Sequence, residues 1–588
     1  MRLRVAFPMV TRENSPWRRD LLWLALAFGL LLGFHLGSYP FNNPDEGRNV
    51  EIPREMLATG DWVTPRLNGV NYFEKPPLMY WAVGACLKVL GPGEWAMRAT
   101  PALFALGGVL LTYAAARRLY GRGAGLASAV VLGTSLLYFG TGRFLVLDMA
   151  VSVLMSATLC CFILAVQEPP GPRRRWLFYG LYASAALATL TKGFIGFLVT
   201  GAVMFLWLLI FNQWKRLRPL YLPSGIALFL VIAAPWHVLA AMRNETWAHR
   251  YITIEHWARF TTTYHGRSQP WHYFIWILLG GLFPWSAFLW PAVRAAVRGG
   301  PFDKLRVSSL SRDWARRGEN ATAWYFVTWA VFIFLFFSKS QSKLPAYILP
   351  VFPALAVLVG AWLAGVVADA AGAVQLRWSL RIYSFVCGLL AAALLLAVLK
   401  PDLVLHDPAQ ALALRTPVLA LAAVLLAGGM VAPVLARISG ATAAFAAITA
   451  TAVLFLAGLT FAVPDIYKPG TKELALLVKA QVRPGDRVMH YFDFFHDFTF
   501  YAERTVDLVG AKGELELEED AAAQASGRFM AEAEFRRLWT QPGRIFVVAK
   551  KRDVQRRGDG QPPLFADPTF HYHLLGLTRD HYLFSNQP

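Results

Sequence analysis

Long apolar runs, separated by short charged stretches, carry this chain from residue 20 to residue 463. Against a hydrocarbon core about 30 Å thick, they fall at 20–37, 77–90, 99–118, 124–140, 148–167, 176–191, 194–212, 220–241, 272–295, 322–337, 346–368, 379–399, 416–436 and 441–463. The second, PLMYWAVGACLKVL, is only fourteen residues long, contains Lys88 and runs into Gly-Pro-Gly. It therefore predicts a helix lying along the interface, and thirteen spans remain.

Basic residues test that choice, because cytoplasmic loops carry the excess of Lys and Arg. With the N-terminus inside, thirteen spans give cytoplasmic loops holding Arg117, Arg118 and Arg122; Arg173 to Arg175; Lys215, Arg216 and Arg218; Arg294 through Arg317; Arg377 and Arg381; and Arg437. Every one is basic. Counting the short segment as a span would move the Arg117 and Arg173 clusters together to the outer side and break the pattern. The N-terminus (Arg2, Arg4, Arg12, Arg18, Arg19) precedes an apolar run from Leu21 to Leu36 with no small-residue cleavage site, which reads as an uncleaved signal anchor.

After Pro464 the pattern changes. β-type runs at 487–491, 505–509 and 545–549 alternate with helical patterns at 471–481 and 521–540, which predicts a small α/β domain outside the membrane. The predicted division is a membrane domain over 1–464, with a first outer loop at 38–98 carrying interfacial helices, and an α/β domain over 465–588. The acidic run GELELEEDAAAQ reads as a solvated face, and no Gly-rich phosphate loop is present.

Composition agrees with a polytopic membrane protein: of 588 residues, 56% are hydrophobic and only 16% charged. The net charge of +20 sits in clusters between apolar runs, where it sets topology and attracts membrane lipid headgroups rather than nucleic acid. The four cysteines, Cys86, Cys160, Cys161 and Cys387, make no disulfide framework or Cys-His metal spacing.

Chemistry concentrates in the first outer loop, NNPDEGRNVEIPREMLATGDWVTPRLNGVNYFEKPP, residues 42–77. So much charge beside membrane spans marks a functional site. Asp45 has two readings, an N-cap of a helix through Glu51 to Leu57 or a reactive carboxylate, with Arg48 one turn along and Glu74-Lys75 at the far end of the loop. Asp148, in GTGRFLVLDMAVSVL on the same face, has the same two readings, with Arg143 as a candidate ion partner. The loop 243–271 holds His249, Glu255, His256, Trp257, Arg259, His265 and Arg267, with His272 just beyond, which suits an interfacial aromatic belt or a small metal site with Glu74. In SKSQSKLPAYILP, Lys339 and Lys343 lie on the outer side, against the positive-inside tendency. A phosphate ligand or snorkelling to headgroups accounts for them.

Four segments together, the loop through NYFEKPPLMYW, RFLVLDM, EHWARF and SKLPAYILP, resemble the bacterial lipid A aminoarabinose transferases (undecaprenyl-phosphate 4-amino-4-deoxy-L-arabinose transferases). These are relatives of the protein O-mannosyltransferases in the GT-C glycosyltransferase superfamily. The resemblance implies a GT-C fold of about thirteen helices, an undecaprenyl-phosphate-linked sugar donor, a lipid A phosphate acceptor and a role in resistance to polymyxin and cationic peptides. It further implies Asp45 and Asp148 as catalytic carboxylates; Arg48, Lys75, Lys343 and Tyr347 as substrate-binding residues; and Glu74 with His256 at a divalent-metal site for zinc or magnesium. Gly47 stands where closer relatives would have Thr. Two alternatives remain: a GT-C enzyme moving another sugar, such as mannose, to protein or glycan, and a lipid transporter or flippase. The absence of a visible inverted repeat speaks against transport.

Overall fold

A computed structural model describes residues 16–588, apart from 259–268, 299–320, 370, 406, 468–469, 511–514, 516–519 and 556–562, and apart from the side chains of 256–258 and 298. All thirteen apolar segments expected to span are helical. Eight helices among the described residues are long and apolar enough to cross a bilayer, or ten if two bent pairs are single spans. The other three are Trp17–Gly33 and Ile195–Phe211, of 17 residues each, and Pro172–Lys192, which opens on three arginines.

The two bent pairs explain each other. Arg122–Gly133 and Leu136–Gly142 meet at 66°, and Tyr273–Gly281 and Trp285–Val297 at 101°. At the first break the hydroxyls of Thr134 and Ser135 turn back onto the carbonyls of Val130 and Val131, an alternative to continuing the helix. Across the two breaks, Leu136 N–H donates to Phe283 O at 3.2 Å and Trp285 Nε1 donates to Thr134 Oγ1 at 2.8 Å. Irregular backbone is tolerated at membrane depth when neighbouring protein satisfies its polar groups in this way.

Burial grades from the centre outward. The most apolar stretches of Leu147–Gln167 and Pro345–Ala368 are 78% buried, that of Gly372–Leu399 only 17%, so the last three long helices form a lipid-facing flank. At the centre, a Cβ on Gly360 would lie 2.4 Å from Ser128 N; only glycine lets helices Phe352–Ala368 and Arg122–Gly133 approach so closely. The segment 77–90 is a 13-residue helix, Leu78–Leu90, about 20 Å long and too short to cross.

The C-terminal region contains a six-stranded sheet in the order β5-β4-β3-β6-β8-β7, with β3 Arg487–Tyr491, β4 Asp507–Val509, β5 Phe529–Met530, β6 Ile545–Lys550, β7 His573–Leu577 and β8 His581–Ser585. The first four strands are parallel, while β8 pairs antiparallel with both β6 and β7. The predicted helix 521–540 is instead two short helices, Ala521–Ala525 and Glu532–Trp539, flanking β5. Gly527, at φ 67°, turns the chain between them.

Alternation sends the two faces of the sheet to different cores. Met489, Tyr491, Val547 and Ala549 pack within the region itself. Val488, Leu508, Phe546 and Val548 instead join Phe41, Val50, Ile52, Met56, Leu67 and Tyr72 of the first loop in one common core. The sheet and the loop are thus built on each other. The four glutamates of the acidic run lie outside the described residues, but Asp520, which follows them, is buried, accepting from Ala523 N and from Asn71 N in the loop.

Candidate active site

Pro44 starts the loop helix, Asp45–Thr59, which ends at Gly60 in a left-handed conformation. Beyond it come a two-residue hairpin (β1 Arg66–Leu67, β2 Val70–Asn71), the Glu74-Lys75-Pro76-Pro77 stretch and the helix Leu78–Leu90. Lys75 therefore stands at the junction of the hairpin and that short helix. It borders a cavity of about 560 Å³ whose polar lining includes Glu74, Lys75, Asp148, Lys192 and Glu255 and whose apolar wall includes Val151, Met155, Ile195, Leu198, Phe332 and Phe336. Such a mostly apolar cavity with a few convergent polar groups is the usual form of a small-molecule site.

Two ammonium groups define its polar end. Lys75 Nζ donates to Glu255 Oε2 at 2.9 Å and to the Glu74 carbonyl at 2.7 Å, with the Glu74 carboxylate 3.8 Å away. Lys192 Nζ is 2.5 Å from Asp148 Oδ1 and 4.6 Å from the centre of the Tyr347 ring. Lys192 ends its helix, where a cation complements the exposed carbonyls, and Gly193 at φ 80° turns the chain away. Tyr347 comes from a 3-10 helix, Pro345–Val351.

The loop helix carries a second charged system. Asp45 lies in its first turn, 42% exposed, 2.7 Å from Arg48, which also lies over the Tyr72 ring. Glu46, the next residue, is wholly buried and takes a two-pronged contact from Arg98 at 2.8 and 2.7 Å. Its carboxylate also accepts from Asn42 N and Leu145 N. Arg98 in turn donates to the carbonyls of Leu36, Tyr39 and Pro40 and stacks on Tyr39. Every charge here is answered, as a buried ion pair requires, and Leu145 links the network to Asp148 three residues on. Farther along, Glu51 is buried against Arg54 and beside Glu55, and burial pushes its carboxyl up to about 8.

Of the residues singled out in the sequence, Glu74, Lys75, Asp148, Glu255 and Tyr347 meet at the cavity. Asp45 and Arg48 pair on the loop helix and are not part of its lining. Lys343 is also outside the lining: buried, it donates to the Gln269 carbonyl at 2.9 Å, and desolvation lowers its pKa, so it does not snorkel. The side chain of His256, on helix His249–Ala258, lies outside the described residues, as do Trp257, Arg259, His265 and Arg267.

Three expectations are corrected. Neither carboxylate is an N-cap: Pro44 and Val146 hold those positions without side-chain cap bonds, leaving Asp45 and Asp148 inside their first turns. Arg143 is not the partner of Asp148; its guanidinium bonds the Leu32 carbonyl at 2.6 Å, and Lys192 takes that role. Lys192 is missed in the sequence although the thirteen-span topology puts it on the outer side, where the signal that singles out Lys339 and Lys343 could have found it.

A zinc or magnesium ion would require Glu74 and His256 with further donors. Among the described residues no group of three or more His, Cys, Asp and Glu side chains comes together. The Lys75 ammonium already sits against Glu255 and near Glu74, where a metal would have to compete with it. The described donors do not fit a metal site.

Residues 74–238 match the family described as dolichyl-phosphate-mannose-protein mannosyltransferase. The chain is 32% identical to an undecaprenyl phosphate-alpha-4-amino-4-deoxy-L-arabinose arabinosyl transferase of Erwinia tasmaniensis, the match spanning 63% of each chain. It is 31% identical to the protein of that name in Pectobacterium atrosepticum, over 68% of this chain and 69% of the relative. The crystal structure of ArnT from Cupriavidus metallidurans bound to undecaprenyl phosphate superposes with a TM-score of 0.81 at 26% identity, covering 97% of this chain and 98% of that one. With its helical membrane domain and C-terminal sheet matching over nearly the whole length, the chain belongs to the undecaprenyl phosphate-alpha-4-amino-4-deoxy-L-arabinose arabinosyl transferase family of GT-C membrane glycosyltransferases.

Proposed function

We propose that this protein transfers 4-amino-4-deoxy-L-arabinose from undecaprenyl phosphate to a phosphate of lipid A at the periplasmic face of the bacterial inner membrane. The observation that carries the reading is the cavity: two lysines at its polar end suit a phosphate, and its wall of Val, Met, Ile, Leu and Phe suits a polyprenyl chain. Family membership supports the sugar and its carrier, and the resemblance read from the sequence implies the lipid A acceptor. The basic inner loops and basic N-terminus support a cytoplasmic N-terminus, with the site and the C-terminal sheet outside.

Carrier phosphate is a good leaving group, so the reaction needs little acid catalysis. A lipid A phosphate oxygen attacks the anomeric carbon, the bond from that carbon to the carrier phosphate oxygen breaks, and its electron pair leaves on undecaprenyl phosphate. The sugar is inverted, and no proton need move. Lys75 and Lys192 stabilise the charge growing on the departing phosphate, with Tyr347 beside Lys192. Asp148 holds Lys192. Asp45, paired with Arg48 on the loop helix outside the cavity lining, is the carboxylate that the family resemblance assigns to the positive charge developing at the anomeric carbon. Lys343 supports the cavity edge between Ser342 and Ala346 through its bond to Gln269.

Transfer is tested by incubating reconstituted protein with the lipid-linked aminosugar and lipid A, then weighing the lipid A by mass spectrometry. Wild type adds one aminoarabinose; Asp45→Ala does not. Normal modification by the Ala variant removes Asp45 from the site. Unmodified lipid A beside mannosylation of an added peptide from an added mannose-carrying polyprenyl phosphate, or lipid translocation without glycosyl transfer, overturns the activity.

A further inference from the structure

The core shared by the first loop and the C-terminal sheet is crossed by a buried carboxylate, Asp497, in the first turn of the short helix His496–Ala502 that follows β3. Asp497 is fully buried. Its Oδ1 accepts from Asn43 Nδ2 and, at 2.8 Å, from Thr471 Oγ1, and its Oδ2 accepts from Thr471 N at 2.7 Å. In return, Asp497 N–H donates to Asn43 Oδ1 at 2.9 Å. Three donors converge on one group, and an ionised carboxylate accepts them all.

The space around it has been cleared from two other segments. A Cβ on Gly47 would lie 2.6 Å from Asp497 N and 2.8 Å from His496 Cβ, and one on Gly470 would run into Asp497 Oδ2. Gly47, the departure from the Thr expected in closer relatives, is what lets the short helix close onto the loop helix. Asn43 lies two residues ahead of Asp45, and the Asn42 carbonyl accepts from both Glu46 N and Gly47 N. The hydroxyl of Tyr501, one turn beyond Asp497, accepts from Phe41 N at 3.0 Å and donates to Glu94 Oε1 at 2.9 Å.

We propose that Asp497 is a positioning residue for the reaction: through Asn43 it fixes the turn that presents Asp45, which makes the C-terminal sheet part of the catalytic apparatus rather than a cover over it. The proposal rests on the reading of Asp45 as a reacting carboxylate. A misplacement of about 1 Å at such a group is enough to lower a rate by about a hundredfold, so the seam acts on kcat without touching substrate.

The test uses the full chain in liposomes and compares Asp497→Asn, Asn43→Asp, the double swap N43D/D497N, and Gly47→Ala, with Asp45→Asn as control. In the swap, the amide placed at position 497 keeps an oxygen for Thr471 N and donates to the carboxylate placed at position 43, so the seam reforms with its polarity reversed. Asp497→Asn and Gly47→Ala are expected to lower kcat about tenfold or more with the donor KM within about twofold, while the swap recovers kcat to within about threefold of wild type. Unchanged kcat in Asp497→Asn, a loss that lies wholly in KM, or a swap that melts like wild type yet stays as slow as the single variant overturns the proposal. Should Asp497→Asn fail to accumulate, the swap and Gly47→Ala decide by the same readings. An active Asp45→Asn control removes the reading of Asp45; an inactive control beside a normal Asp497→Asn removes only the role of Asp497.

Discussion

Glu46–Arg98 and Asp148–Lys192 are both carboxylate–cation pairs, joined through Leu145, yet they do opposite work. In the seam under the first loop, both Glu46 and Arg98 are fully buried, and their remaining valences are met by backbone groups from two segments, residues 36–42 and Leu145. In the cavity, Asp148 and Lys192 keep 16% and 17% of their side-chain surface and border empty apolar space. A pair whose partners are all protein can only hold the fold. A pair left with room beside it can exchange partners with a ligand.

The widest separation comes from breaking the seam. Arg98→Ala leaves Glu46 charged and buried, at a cost of about 3–5 kcal/mol. Folded protein is expected to fall sharply in detergent extracts assayed by size-exclusion chromatography, with activity falling in proportion. A cavity change should do the reverse. Lys192→Met is expected to lower kcat about a hundredfold while the melting temperature stays within a few degrees. A loss of folded protein in Lys192→Met would erase the distinction between the two regions.

A smaller effect is set by pH. His581 is buried beside Asp580, Asp493, Lys550 and Lys551, and desolvation lowers its pKa to about 4. The unfolded chain takes up a proton near pH 6.5 that the folded chain refuses until about 4. The contribution of neutral His581 is therefore complete above about 6.5 and is lost as pH falls toward 4. The melting temperature of wild type relative to His581→Gln is expected to drop by about 2–4 °C across that window; a flat difference would contradict the buried, neutral imidazole. Least sensitive is the Arg118–Glu168 pair, whose arginine is half exposed. Arg118→Ala is expected to change stability by less than about 1 kcal/mol, measured by thermal melting.

Much of this was legible in the pattern of residues. Apolar runs of span length became helices because a bilayer leaves the backbone no other choice, and the alternating runs at 487–491 and 545–549 became neighbouring parallel strands. Glu74, Lys75, Asp148 and Tyr347 could be grouped because topology puts them on one face. Partners distant in sequence could not be read. Asp497 meets Asn43 across 454 positions, and Arg98 sits just inside an apolar helix with nothing nearby to reveal Glu46 as its counter-ion. The helix expected over 521–540 failed at Gly527, where a left-handed residue turns the chain into an edge strand. The cap reading, one of two for Asp45 and for Asp148, failed because Pro44 and Val146 hold the boundary positions.

Central to the account is that the cavity bordered by Lys75 receives the sugar-carrying lipid. The direct measurement is aminoarabinose transfer to lipid A, followed by mass spectrometry, for wild type and Lys75→Met reconstituted at equal amounts of folded protein. Wild type is expected to yield lipid A heavier by one aminoarabinose, and Lys75→Met to yield less than about a hundredth of that rate with an unchanged melting temperature. Modification by Lys75→Met at the wild-type rate would contradict the account.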